Sequence, residues 1–151
     1  MGERAGYRVR VGNEVSDILR KQWFVGESKG EIRELIKNVA TMLLQEYNGI
    51  GKINSGGVAL RNDLDLGRLT ASLFATIYTP PFDSIEKTIW DISDWGLYEI
   101  EMVEWNKWIV WNYSVDWEDN SIKDKEKLAE VEFKEGKTLD NGMSFVWFGG
   151  D

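Results

Sequence analysis

The stretch from Tyr98 to Trp117, YEIEMVEWNKWIVWNYSVDW, constrains the fold more than any other part of the chain. Over residues 84–95 the apolar residues recur at helical spacing; after Gly96 they recur at every second position. Period two across the runs 98–105 and 108–117 predicts two strands. Asn106-Lys107 between them has the length of a two-residue hairpin turn, and Asn suits its first position. With that turn, Met102 pairs with Trp111, Ile100 with Tyr113 and Tyr98 with Val115, and these six side chains share an apolar face that Trp117 continues. The other face receives Glu99, Glu101, Val103 and Trp105, with Val110 opposite Val103 and Trp108 opposite Trp105. A one-residue slip mixes the two sets, so one register is expected to be strongly preferred.

The remaining segments supply the other elements. YRVRV alternates, placing Tyr7, Val9 and Val11 on one face of a strand and Arg8 and Arg10 on the other. Residues 14–24, EVSDILRKQWF, approximate helical spacing. Ser28 and Glu31 form a capping box for a helix over 28–48, whose apolar stripe includes Ile32, Leu35, Ile36 and Val39. Asn62 is placed to cap a helix reaching Tyr78, with Leu66, Leu69, Leu73 and Ile77 inward, and Pro80-Pro81 ends it. Asp83 or Ser84 is placed to cap a third, SIEKTIWDISDW, ending at Gly96. NSIKDKEKL reads as a loop or a single helical turn, and AEVEFKE and MSFVWF as strands. The expected fold is a single α+β domain over residues 1–151: an antiparallel sheet, including the hairpin at 98–117 and the C-terminal strands, packed against two to four helices.

Several chemistries are excluded by residue type. The chain has no Cys and no His, which removes disulfides, thiolate zinc sites, Cys nucleophiles and every His-based triad. NGIGKINSGG at 48–57 is Gly-rich but fails as a phosphate-binding loop: a helix precedes it, and Ile53 follows Lys52 where Ser or Thr is required. DWEDNSIKD from Asp116 resembles the start of a calcium loop, but Ser121 replaces the turn glycine and Lys127 the final carboxylate. No metal site and no cofactor are expected. No apolar run is long enough to span a bilayer and the N-terminus lacks the apolar core of a signal peptide, so the expected compartment is the cytoplasm.

Charge and aromatic content point toward binding. Residues 1–61 carry net +3 and residues 62–151 net −11, giving the overall −8. An acidic half of this kind disfavours direct contact with nucleic acid or anionic membrane and favours a basic partner. The hairpin face bearing Trp105, Trp108, Val103 and Val110, rimmed by Glu99, Glu101 and Glu104, has the composition of a binding hot spot. The function expected from these features is non-catalytic binding of a basic protein, in the manner of inhibitors and toxin-neutralising immunity proteins. Two other readings use the same residues. Self-association through the Trp-bearing face would make the chain an assembly subunit. The Glu99/Glu101 pair beside tryptophans would suit a carbohydrate-binding or carbohydrate-cleaving domain. No catalytic residue is assigned.

Overall fold

A computed structural model describes residues 3–22, 33–38, 65–104, 106–133 and 143–150. Eight strands occur among the described residues: β1 (Arg4–Val11), β2 (Glu14–Val15), β3 (Ile18–Gln22), β4 (Ser84–Glu86), β5 (Leu97–Glu104), β6 (Lys107–Val115), β7 (Ile122–Phe133) and β8 (Met143–Trp147). They form one sheet in the order β4-β3-β1-β5-β6-β7-β8, with β2 paired to β1. All pairings are antiparallel except β1 with β5, which run parallel. A parallel pair needs a crossover, and the helix Leu66–Ile77 lies within the connection between these two strands.

The expected α+β domain with two to four packed helices is corrected to a mostly β architecture. Among the described residues, strand accounts for half and helix for 18%. Among the described residues, helix occurs at 33–38 and 66–77. The helix expected over residues 14–24 rests on the near-helical spacing of Val15, Ile18, Leu19, Gln22 and Trp23, but Ile18 and Leu19 do not share a helical stripe. They are instead neighbours on a strand buried on both faces: Leu19 joins the main core and Ile18 a second cluster with Ile92, Leu97 and Val115. The expected third helix is a short edge strand followed by turns. Asp83 and Ser84 cap nothing there; Asp83 is buried and accepts hydrogen bonds from Lys21 Nζ, Thr79 N and Gln22 N. Downstream, Asp91 adopts a positive φ of 55° and ends any helical path. Residues 120–128, expected as a loop or turn, largely belong to β7, which begins at Ile122.

Other expectations match the structure. β1 buries Tyr7 and Val9 on one face and carries Arg8 and Arg10 on the other. The 66–77 helix buries Leu69, Leu73 and Ile77. Its cap is Asp65, which accepts from Arg68 N at 2.9 Å; Asn62 lies outside the described residues. Of the expected 28–48 helix, 33–38 is helical and Ile36 is buried in the core; the rest, with Trp23 and the 48–57 loop, lies outside the described residues.

The main core lies between one sheet face and these helical segments. Tyr7, Val9, Tyr98, Ile100, Trp108 and Val110 face Ile36, Leu69, Leu73 and Ile77. Tyr7 and Tyr98, in register on the parallel strands, stack with ring centroids 5.2 Å apart. Burial raises both phenols, that of Tyr98 to about 12. At the end of the helix, Lys21 Nζ donates to Ile77 O at 2.6 Å and Asp83 Oδ2 at 2.8 Å, a buried ion pair that clamps the Pro80-Pro81 turn to β3.

Candidate functional site

The hairpin fixes what each sheet face presents. Glu104 pairs with Lys107, so the chain reverses one residue earlier than Asn106-Lys107. An irregularity between Met102 and Glu104 then shifts the register by one more. The two changes act differently. Moving a two-residue turn by one position leaves each side chain on its face, because partners change by two. The bulge changes partners by one and exchanges the faces. Met102 therefore pairs with Trp108, Ile100 with Val110 and Glu99 with Trp111.

The expected partner-binding set is thereby divided. Trp108 and Val110 are fully buried in the main core and Glu99 is fully buried on the opposite face, so no partner reaches these three. Glu101 is half-buried, Glu104 is exposed and Val103 is 51% exposed. Trp105 lies outside the described residues. Trp111 and Tyr113, expected in the core, are half-buried on the sheet face opposite the main core.

That face carries a polar network. Arg8 pairs with Glu99 across the parallel strands, Glu99 with Trp111 across the hairpin, and Trp111 with Lys127 on β7. Glu99 accepts from Arg8 Nε at 2.7 Å, Arg10 Nε at 3.0 Å and the Tyr113 hydroxyl at 3.1 Å. Three donors compensate a carboxylate taken out of water. Trp111 Nε1 donates to Glu101 at 2.9 Å, and Lys125 Nζ stands 4.3 Å from the Trp111 ring centroid. The Glu99 hydrogen bond holds the Arg10 guanidinium above its ordinary range, and partial burial followed by Glu99 raises the Tyr113 phenol. With both Glu99 oxygens engaged by these donors, the Glu99/Glu101 pair is not arranged as an acid and base flanking an open substrate position.

At the far end of β6 the sheet presents a different surface. Trp117, expected to continue the core face, is 75% exposed. It sits in the turn between β6 and β7, whose shape is set by its own polar residues. Asp116 Oδ1 accepts from Glu118 N at 2.7 Å, and Asp119 Oδ1 accepts from Ser121 N at 3.0 Å and Ser121 Oγ at 2.7 Å. Asp116 N donates to Ser121 O, and Asn120 N to Asp116 O. A hydrogen bond from Lys123 holds the Asp116 carboxyl below its ordinary range, and hydrogen bonds from Ser121 do the same for Asp119, so both are ionised at neutral pH.

This turn is tied to a second loop. Asn120 Oδ1 accepts from Asp91 N at 3.0 Å. Asp91 in turn receives Arg4 and Arg20, and the Arg20 guanidinium lies 4.3 Å from the centroid of half-exposed Trp90. Segments 87–96 and 116–124 hold the carboxylates Asp91, Asp94, Asp116, Glu118, Asp119 and Asp124 against Lys87 and Lys123. Among the described residues, no cation pairs with Glu118, Asp119 or Asp124. Sequence reasoning missed Trp117 by extending period two through it. The signal against that extension was present: Asp116, Asp119, Asn120 and Ser121 are turn formers, and they isolate Trp117 from the strand.

No protein-family model, curated protein or solved structure matches the chain. Among the described residues, no group of three or more acidic side chains is placed to hold a metal ion, and no helix is long and apolar enough to cross a membrane.

Proposed function

We propose that this chain is a non-catalytic protein-binding module for a basic partner, of the inhibitory or toxin-neutralising kind, and that the turn carrying Trp117 makes the contact. The observation that carries the proposal is a tryptophan 75% exposed on a turn tied by five hydrogen bonds among residues 116–121, four of which engage the backbone. A large ring displayed on a pre-ordered turn loses little conformational entropy on binding. Glu118, Asp119 and Asp124 supply a carboxylate rim that attracts a basic surface at long range, and Trp90 extends the apolar area from the neighbouring loop. This places the anchor at the opposite end of the hairpin from the expected Trp105/Trp108 pair, and retains the expected chemistry of aromatic anchor and acidic rim.

The test is capture from source lysate with wild type, Trp117→Ala and Glu118→Lys/Asp119→Lys, followed by binding kinetics on the retained protein at two salt concentrations. Trp117→Ala should speed dissociation by roughly tenfold or more, the scale of a hot-spot residue. The charge reversal should slow association and flatten its salt dependence. A retained set that is the same for all three proteins rules out this surface.

A further inference from the structure

β8 ends the strand order of the sheet, and its outer edge differs from the edge at β4. Phe148 N donates to Leu128 O at 2.7 Å, which extends the β7–β8 register by one more pair. Along a strand, the backbone N–H and C=O groups of successive residues point alternately to its two sides. Ser144, Val146 and Phe148 therefore direct theirs toward β7, and Met143, Phe145 and Trp147 direct theirs away from it. Native edge strands are guarded by charge, by proline or by being very short. β4 follows that rule: it has three residues, among them Glu86, with Lys87 next to it. β8 does not. It has five residues, and no residue from Met143 to Gly150 is charged. Every other strand among the described residues carries at least one charged side chain. Nor is the edge shielded by polar bulk, since Val146 is 44% and Phe148 51% exposed.

We propose that β8 is the interface for a second copy of this chain, whose own β8 adds antiparallel across a two-fold axis and joins the two sheets into one. The backbone sets the register. With Phe145 on the axis, Phe145 faces Phe145 of the second copy and Met143 faces Trp147 of the second copy. All outward-directed groups of β8 then pair, giving about six interchain backbone hydrogen bonds. Centring on Ser144 or Val146 instead sets Trp147 or Met143 opposite residues beyond β8. In the Phe145-centred register Ser144 lies opposite Val146 of the second copy, a neutral pair on the sheet face away from the main core. Charge selects the occupant. Copies of a chain with net charge −8 repel one another, so they approach at least cost along an uncharged edge. That edge offers a basic partner no carboxylate. A two-fold contact closes on itself, and the short, charged β4 does not extend it, so the assembly stops at two. β8 pairs with residues 129–133 of β7, at the opposite end from Ile122, so the Trp117 turns of both copies stay displayed. The inference does not depend on what those turns bind.

The test is sedimentation equilibrium of the full chain from roughly micromolar to millimolar concentration, with amide hydrogen exchange at both ends of that range. A monomer–dimer equilibrium is expected. The Phe145 and Trp147 amides should exchange fast in the monomer and slowly in the dimer, while the Val146 amide stays protected in both. Ser144→Lys/Val146→Lys sets like charges directly opposite each other at two positions and should weaken the dimer by roughly tenfold or more. Ser144→Lys/Val146→Glu introduces as many charges in complementary pairs and should dimerise close to wild type. Both positions are exposed, and circular dichroism checks that both variants stay folded. A wild-type chain that is monomeric throughout, or that forms assemblies larger than two, overturns the proposal. Protection of the Phe145 and Trp147 amides in the monomer also overturns it, because the edge is then covered within one chain. Equal weakening by the two double variants, or none by either, rules out this register and the interface with it.

Discussion

Met102 lies opposite Trp108 in the β5–β6 hairpin, and both are buried in the main core. The same register sets Trp111 opposite Glu99 on the open face. Removing each ring therefore has a different cost. Trp108→Ala should destabilise by about 3–5 kcal/mol, the loss of a fully buried aromatic plus the cavity it leaves. Trp111→Ala removes a half-buried ring, one hydrogen bond to Glu101 and the Lys125 contact, and should cost about 1–2 kcal/mol. Urea unfolding of the two variants measures both. A larger loss for Trp111→Ala would require the opposite assignment of faces.

The Lys21–Asp83 pair gives a second prediction. Its side chains are 4% and 0% exposed, and Asp83 also accepts two backbone N–H groups. Breaking such a pair from one side strands a buried charge. Lys21→Met alone should cost about 3–5 kcal/mol, while Lys21→Met/Asp83→Asn should cost clearly less than the sum of the single changes. A double-mutant cycle in urea reads the coupling directly. Additive losses would show that the two side chains act independently.

How far the sequence revealed this arrangement depends on the range of the interactions involved. The faces of β1 were legible because alternation within Tyr7–Val11 is a local property. The inward face of the 66–77 helix was legible for the same reason at period 3.6. The hairpin strands were legible but their register was not. A bulge at 102–104 leaves no mark in a pattern of apolar and charged residues, and it reverses every face assignment beyond it. The discarded arrangement also looked better in isolation, because it separated carboxylates from aromatics. Glu99 is tolerated beside Trp111 only because β1, roughly ninety residues earlier, brings Arg8 and Arg10 to it in parallel register. The expected helices at 14–24 and 84–95 failed through another long-range effect. Ile18 and Ile92 meet in a cluster on the far face of the sheet, so their spacing reports burial on both sides rather than a helical stripe.

Alkaline titration provides a third prediction. Burial, with Glu126 second, raises the Tyr98 phenol to about 12 from its ordinary 10.0, and burial raises Tyr7 in the same direction. Folded and unfolded chains bind the same proton below about pH 10, so the contribution is fully present there. Between about pH 10 and 12 the unfolded chain ionises first, and stability falls by about 1.4 kcal/mol per unit. Tyr98→Phe should show a shallower decline than wild type over that window when urea midpoints are compared. Identical slopes would mean that the phenol titrates alike in both states.

The turn that displays Trp117 depends on Asn120 in two separable ways. Its φ of 57° lies in the left-handed region, which asparagine and glycine tolerate and most residues do not. Its side-chain oxygen also accepts from Asp91 N, joining the two loops. Asn120→Gly keeps the first property and loses the second, leaving one backbone donor to find water at a cost of about 1 kcal/mol. Asn120→Ala loses both and should cost about 1–2 kcal/mol more, from forcing a Cβ into the left-handed conformation. Trp117→Ala, at a ring that contributes little to the core, should change stability by no more than about 0.5 kcal/mol. The order expected in thermal and urea unfolding is therefore Trp117→Ala, Asn120→Gly, Asn120→Ala, from least to most destabilised. If Trp117→Ala is as destabilising as Asn120→Ala, the ring supports the fold, and its display on an ordered turn no longer argues for a partner.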